Sequence, residues 1–200
     1  YRSVNTVRFE ADGRLFGSNT DGYGVLRACE EAFGQGPAGR TALVVGTGGA
    51  GRAVALALAR AGVARLLLAN RTRPRAETVA REVAQHAPDL PVTVLGTGEN
   101  DAAALREAEV IVQSTSLGMK ADDPLPLPAA ALHDGQQVLD LVYVLRETPV
   151  LRAAREVGAR TANGLGMLLH QGVRSFEIWT GTTPPVETMR EALQREVYGS

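Results

Sequence analysis

Thr41-Ala-Leu-Val-Val-Gly46-Thr-Gly-Gly-Ala-Gly51-Arg-Ala-Val-Ala-Leu-Ala-Leu-Ala59 is the stretch from which the fold is read. An apolar run meets a glycine turn, and an alanine-rich helical pattern follows. That order is the context a dinucleotide-binding fingerprint requires. Gly46 permits the tight turn, Gly48 lets the backbone approach a pyrophosphate, and Gly51 lets the helix sit close on the strand. Gly49 and Ala50 carry the N–H groups that open the helix, where the dipole favours negative charge.

Outward from this core the pattern alternates. Strands are expected at residues 41–46, 65–69, 92–95, 109–113, 137–142 and 160–162, with helices near 50–61, 74–86, 101–107, 148–157, 165–179 and 186–197. Gly62 stands where a helix-ending glycine belongs, and Pro184-Pro185 separates the last two helices. Strands alternating with helices imply parallel pairing with right-handed crossovers. The expected fold is therefore α/β, a Rossmann-type doubly wound parallel sheet with helices on both faces. Upstream, residues 3–9 and 14–16 alternate around Asp12-Gly13, a hairpin signal, and a helix to about Phe33 follows, with Thr20 or Asp21 at its cap.

The second strand, Leu66-Leu-Leu-Ala69, ends in Asn70-Arg-Thr-Arg73. Asn70 lies 24 positions after Gly46, where an NAD-binding fold carries an acid for the ribose 2′-hydroxyl. No acid follows before Glu77. Arg71, with Arg73 or Arg75, offers guanidinium groups to a 2′-phosphate instead, and charge-assisted contacts contribute ~1.5–3 kcal/mol each. NADP is thus the expected cofactor.

The bulk composition bounds the rest. The chain has 200 residues, 44% hydrophobic and 22% charged, with a net charge of −1. No broad basic field invites nucleic acid or an anionic membrane surface, and no apolar run is long enough to span a bilayer. The single cysteine, Cys29, suits a reducing cytoplasm and reads as a small core residue. His86, His133 and His170 show no metal spacing, so no metal is expected. Lysine occurs once, at Lys120.

Seven segments now resemble one family in order along nearly the whole chain. They are Ser3-Val-Asn-Thr-Val7, Asn19-Thr-Asp-Gly-Tyr-Gly24, the glycine turn, Asn70-Arg-Thr72, Ser114-Thr-Ser-Leu-Gly-Met119, Asp140-Leu-Val-Tyr143 and Asn163-Gly-Leu-Gly-Met-Leu-Leu-His-Gln171. The chain resembles shikimate dehydrogenases. The resemblance implies NADP-linked, reversible conversion of 3-dehydroshikimate to shikimate in aromatic amino-acid biosynthesis. It implies that Asn5, Asp21, Tyr143 and Gln171 meet the substrate, Asp21 being the catalytic member. It implies that Thr72, Thr115, Ser116 and Val142 join the glycine turn, Asn70, Arg71 and Arg75 around the cofactor, with Gly164 and Met167 at the nicotinamide. Gly164, Met167 and Gln171 fall at i, i+3 and i+7, one helical stripe.

The family pairs its aspartate with a lysine in an upstream α/β domain, and Lys120 does not match that motif. With the start at Tyr1, this reads as residues 1–20 ending the substrate domain, 21–163 forming the NADP-binding domain, and 164–200 returning as C-terminal helices. Such a chain is expected to bind NADP, to turn over poorly by itself, and to self-associate, as a homodimer, through apolar faces on the hairpin and last helices. The competing readings are a non-catalytic NADP-binding module and a quinate/shikimate paralogue.

Overall fold

A computed structural model describes residues 3–199; Tyr1, where the truncation reading starts, lies outside them. Six strands form one parallel sheet: β3 (Thr41–Val45), β4 (Arg65–Ala69), β5 (Val92–Leu95), β6 (Val110–Gln113), β7 (Gln137–Asp140) and β8 (Arg160–Asn163), in the order β5-β4-β3-β6-β7-β8. The order reverses beside β3, so a crevice opens where the chain leaves β3 and β6 in opposite directions, the place such sheets bind ligands. A separate antiparallel hairpin, β1 (Thr6–Phe9) with β2 (Leu15–Ser18), turns at Asp12-Gly13, where Gly13 has φ +83°.

The side-chain period of two puts alternate residues of each buried strand on opposite faces. Ala42, Val44, Leu66, Leu68, Val110, Val112 and Leu139 face α1 (Asp21–Phe33), α2 (Gly49–Arg60) and α3 (Arg73–His86). Leu43, Val45, Leu67, Ile111 and Val138 face α4 (Ala102–Leu105) and α5 (Pro149–Glu156). Apolar continuity along β3, β4 and β6 follows from burial on both faces. The alanines of α2 keep that helix close to the sheet, with Ala53, Ala55 and Ala57 all buried.

α6 (Leu165–Thr180) packs along α1 and carries α7 (Val186–Tyr198). The two helices touch at Gly24, where an added Cβ would lie 2.7 Å from the Met167 carbonyl oxygen. Cys29 sits inside this layer at 1% exposure, and burial pushes its thiol up to about 12, which suits a packing residue.

Boundaries differ from the expectations in a few places, each for a local reason. The helix expected near 101–107 is a 3-10 turn, Glu99–Asp101, followed by four α-helical residues, and Asp101 turns back to accept from the Gly96 N–H at 3.0 Å. The strand expected to reach 142 stops at Asp140, whose carboxylate accepts from the Val142 N–H at 3.0 Å and bends the chain. Thr20 holds the N-cap position of α1 without a side-chain capping bond. Its hydroxyl is directed to the Asn5 Oδ1 instead, at 3.2 Å, and Asn19 Oδ1 accepts from the Asp21 N–H at 3.0 Å. Among the described residues no helix is long and apolar enough to cross a membrane, and no group of three or more His, Cys, Asp or Glu is placed to hold a metal ion.

Candidate functional site

The glycine turn lies at the carboxyl end of β3, and each glycine meets a distinct requirement. Gly46 has φ +92° and donates its N–H to the Ala69 carbonyl at 2.8 Å. A left-handed backbone there excludes side chains at little cost only for glycine. A Cβ at Gly51 would stand 2.1 Å from the Gly46 oxygen, so α2 can begin this close to the strand only without one. Space beside Gly48 and Gly49 is open within 4 Å, which leaves a bare-backbone cradle at the start of α2. The first helical N–H groups have no intrahelical acceptor. The Thr47 hydroxyl is buried there with no hydrogen-bond partner. Open amides, a positive helix end and an orphaned hydroxyl together fit a diphosphate.

Ser114, at the end of β6, holds the turn from the other side. Its hydroxyl lies 2.9 Å from the carbonyl oxygens of both Val45 and Gly46. The sequence showed Ser114 only as the start of a motif; its role as a brace on the neighbouring strand's turn depends on parallel pairing of β3 with β6.

Asn70 is the joint between the turn and the arginines. Its Oδ1 accepts from the Thr47 N–H at 3.2 Å, and its Nδ2 donates to the Thr72 carbonyl at 2.8 Å. One amide thereby fixes both loops, which an acid could not do, since a carboxylate only accepts. Arg71 and Arg75 are exposed and line a cavity of about 440 Å³ with Thr72, Thr115, Ser116 and Gly48. Arg73 is drawn away to Glu77 at 3.2 Å, so of the arginine alternatives Arg75 accompanies Arg71. Thr97 also lines this cavity, with Leu125 and Pro126 of the proline loop Pro124-Leu-Pro-Leu-Pro128, which has no periodicity that could have placed it there.

A second, mainly apolar hollow of about 210 Å³ shares Ser114 and Thr115 with the first and continues to Ala50, Met119, Val142 and Tyr143. Gly164 lies behind it. Its N–H donates to the Val142 carbonyl at 3.1 Å, and a Cβ would come within 2.1 Å of the Leu141 oxygen, so α6 starts tight against the end of β7. Met167 is 9% exposed and packs into the core layer between α1 and the sheet. Lys120 is exposed on the turn after Met119.

The hairpin and α6 assemble a polar cluster from three distant parts of the chain. Asn5 Nδ2 donates to Asp21 Oδ1 at 2.7 Å and to Gln171 Oε1 at 3.2 Å. Asn5 Oδ1 accepts from the Thr20 N–H at 3.0 Å. Beneath it the Thr6 and Ser175 hydroxyls are 2.7 Å apart, both buried. The upper groups remain at least partly open to solvent, so hydroxyls of a polyol can exchange into bonds these groups already make. Tyr143 stands in the apolar hollow rather than in this cluster, and its carbonyl accepts from the Tyr198 hydroxyl at 2.9 Å.

Comparisons with known proteins follow the same division. Residues 29–120 match the shikimate/quinate 5-dehydrogenase model, and residues 164–194 match the shikimate 5′-dehydrogenase C-terminal domain. A shikimate dehydrogenase (NADP(+)) of Rubrobacter xylanophilus is 47% identical over 97% of this chain and 67% of its own length. One from Natronomonas pharaonis is 48% identical over 96% of this chain and 68% of its own. The chain thus spans about two thirds of the length of such relatives. Among solved structures, shikimate 5-dehydrogenase from Thermus thermophilus in complex with NADP(H) and shikimate is 38% identical, with a TM-score of 0.81 over 96% of this chain and 68% of that one. Quinate dehydrogenase from Corynebacterium glutamicum in complex with NAD is 34% identical, with a TM-score of 0.86 over 94% of this chain and 66% of that one. With sequence, fold and the crevice of the sheet all in agreement, the chain belongs to the shikimate dehydrogenase family.

Proposed function

We propose that this chain carries the cofactor half and part of the substrate half of an NADP-dependent enzyme that interconverts 3-dehydroshikimate and shikimate. The observation that carries the reading is Asn70, whose single amide ties the diphosphate turn to the loop bearing Arg71 and Arg75. An acid at that position would repel a 2′-phosphate; here two guanidinium groups line the cavity instead.

When bound, NADP(H) supplies the hydride exchanged with the ring carbon. The residues of the chain hold and orient. Bare amides of residues 48–51 meet the diphosphate, Arg71 and Arg75 meet the 2′-phosphate, and the hollow beside Val142 and Met119 shelters the nicotinamide ring from water. Asn5, Asp21 and Gln171 bond hydroxyl groups, the Asp21 carboxylate accepting a hydrogen bond that a ring hydroxyl donates. The resemblance assigns the partnering acid to a lysine, and the one lysine of these residues, Lys120, lies on an exposed turn. Residues 1–20 and 164–200 then belong with the substrate domain, and 21–163 form the cofactor domain. The 200 residues by themselves bind the coenzyme and turn over slowly, because general acid–base help is worth ~10²–10⁴-fold. The setting is cytoplasmic, as the buried reduced Cys29 suits. Exposed Phe9, Leu15 and Phe16 on the hairpin favour a homodimer of the isolated chain.

Calorimetric titration with NADPH, then NADH, then shikimate tests the reading. Preference for the phosphorylated coenzyme is expected; equal affinity for both would overturn the NADP assignment, and absence of binding by either would overturn the whole. The structural likeness to a quinate dehydrogenase bound to NAD makes quinate with NADH the paired control.

A further inference from the structure

We infer that Asp140 is a positioning residue for the cofactor site: from a fully buried position it ties the loop after β6 to the loop after β7, the two loops that wall the nicotinamide hollow. This rests on the cofactor reading above.

Asp140 is the last residue of β7 and is 0% exposed. Its Oδ1 accepts from the Val142 N–H at 3.0 Å and from Gln113 Nε2 at 3.1 Å, and its Oδ2 accepts from the Thr148 hydroxyl at 2.6 Å. Gln113, directly across the ladder on β6, is also 0% exposed. Its Nε2 donates to the Leu117 carbonyl at 2.7 Å, and its Oε1 accepts from the Thr115 N–H. The amide of Gln113 therefore shapes residues 115–117, and the carboxyl of Asp140 holds that amide while bending residues 141–142. Thr148 joins the same carboxyl to the N-terminus of α5, where its hydroxyl accepts from the Leu151 N–H. Gly118 closes the arrangement: its φ is +101°, and a Cβ there would lie 3.4 Å from Asp140 Oδ2 and 3.2 Å from the Thr148 Cβ. Thr115, Met119, Val142 and Tyr143, which these bonds place, all line the apolar hollow.

Every contact that Asp140 makes here is to a neutral donor. The charged groups on the surrounding loops are engaged elsewhere. Asp123 takes the N–H groups of Gly118 and Lys120, Glu147 is paired with Arg152 and Arg155, and Arg146 lies over the Tyr198 ring. Burial pushes the Asp140 carboxyl up to about 6 despite its three donors. A carboxylate is thus kept where an apolar or amide residue would be easier to bury, at the junction of two ligand loops.

An amide is nearly isosteric and keeps the two bonds that shape the loops. Its oxygen accepts from Val142 and Gln113, while its NH₂ donates to the Thr148 hydroxyl, which already accepts from the Leu151 N–H and gives up donating to residue 140. An alanine leaves the Val142 N–H and one Gln113 donor short of an acceptor in a dry site. The test compares Asp140→Asn and Asp140→Ala with wild type by hydrogen–deuterium exchange and by NADPH titration. In Asp140→Ala, faster exchange is expected in residues 114–119 and 141–144, with β4 unchanged, and the NADPH Kd is expected to rise about tenfold or more. Asp140→Asn should restore both. Should Asp140→Ala fail to fold, Thr148→Val, which removes the hydroxyl that donates to Asp140 and accepts from the Leu151 N–H, is expected to loosen 141–148 while leaving β4 protected. Unchanged exchange in both loops, in Asp140→Ala or in Thr148→Val, would overturn the inference. So would a drop in melting temperature with NADPH affinity within twofold of wild type. If wild type itself fails to bind NADPH, the cofactor reading falls, whereas exchange still decides whether Asp140 places the loops.

Discussion

The two halves of the candidate site are built on different foundations. At the carboxyl edge of the sheet, the turns are fixed from below by buried strands and from the side by Ser114, Asn70 and Gln113, each bonded to backbone. Beside the hairpin, Asn5, Asp21 and Gln171 bond to one another and to the side chains of Thr6, Asn19 and Thr20, with one bond from the Thr20 N–H, next to strands that expose Phe9 at 80% and Leu15 at 65%. Backbone anchoring in a dry region makes a preorganised receptor, whereas mutually bonded, wetter side chains make one that depends on what else covers it. The coenzyme half is accordingly expected to work in isolation and the polyol half to work weakly.

The largest effect expected on this contrast comes from Gly51→Ala. Its Cβ would have to displace α2 from the Gly46 carbonyl, at a cost of about 1–3 kcal/mol by overpacking. The first-turn amides move with the helix, and calorimetry should show the NADPH Kd raised about a hundredfold. A change under tenfold would mean that the cradle is adaptable rather than preformed. Next in size, the double variant Arg71→Ala and Arg75→Ala should weaken NADPH by about one to two orders of magnitude and leave NADH unchanged, since only NADPH carries a 2′-phosphate for charge-assisted contacts with these guanidinium groups. Equal losses for both coenzymes would place these arginines elsewhere.

Asp140 predicts an unusual pH dependence within the rigid half. Its carboxyl titrates near 6 in the fold against an ordinary 3.8. The folded protein therefore binds a proton that the unfolded chain releases. The contribution of this group to stability falls as pH rises from 3.8 through about 6 and is level above that. The melting temperature should rise as pH is lowered from 7 to 5. Glu31 and Asp123 are shifted downward and act only below that window. Asp140→Asn should melt higher than wild type at pH 7, on the order of 2 kcal/mol, and lose that rise. A wild type that instead loses stability steadily from pH 7 to 5 would contradict the assignment.

The smallest effect on the coenzyme is expected at the hairpin. Asn5→Ala should leave the NADPH Kd within about twofold, because among the described residues no hydrogen bond joins the Asn5 cluster to the glycine turn, while whatever shikimate affinity the chain has should fall about tenfold. A large loss of NADPH binding would show the halves to be coupled. Sedimentation at several concentrations checks the same contrast, with self-association expected to weaken in Phe9→Ser.

Much of this was legible in the residues themselves. Six strands and their helices could be placed to within a few positions, because burial on both faces writes continuous apolar runs and helices carry a distinct period. The roles of Gly46 and Gly51 could be read because a left-handed turn and a close helix admit only one residue type. The spacing of Asn70 and Arg71 from the turn could be read because one βαβ unit imposes it. Less could be read where the deciding partner is remote in sequence. Ser114 braces Gly46 only because β3 and β6 are adjacent, Arg73 is diverted to Glu77 while Arg75 is not, and the proline loop reaches the cavity without any periodic mark.

By itself, then, the chain of residues determined the parallel α/β sheet, the glycine turn and the cationic loop that follows, since each rests on local geometry and on periodicities of two and 3.6. Tertiary structure supplied the bonds by which Asn5, Asp21 and Gln171 converge, which the family resemblance implied but no local pattern did, and it alone decided that Asp140 reaches across to Gln113 and Thr148. Those contacts join elements 16 to 166 positions apart at the hairpin and 27 apart in the sheet. Hydrogen bonds of that range follow from strand order and helix packing, which no local pattern encodes.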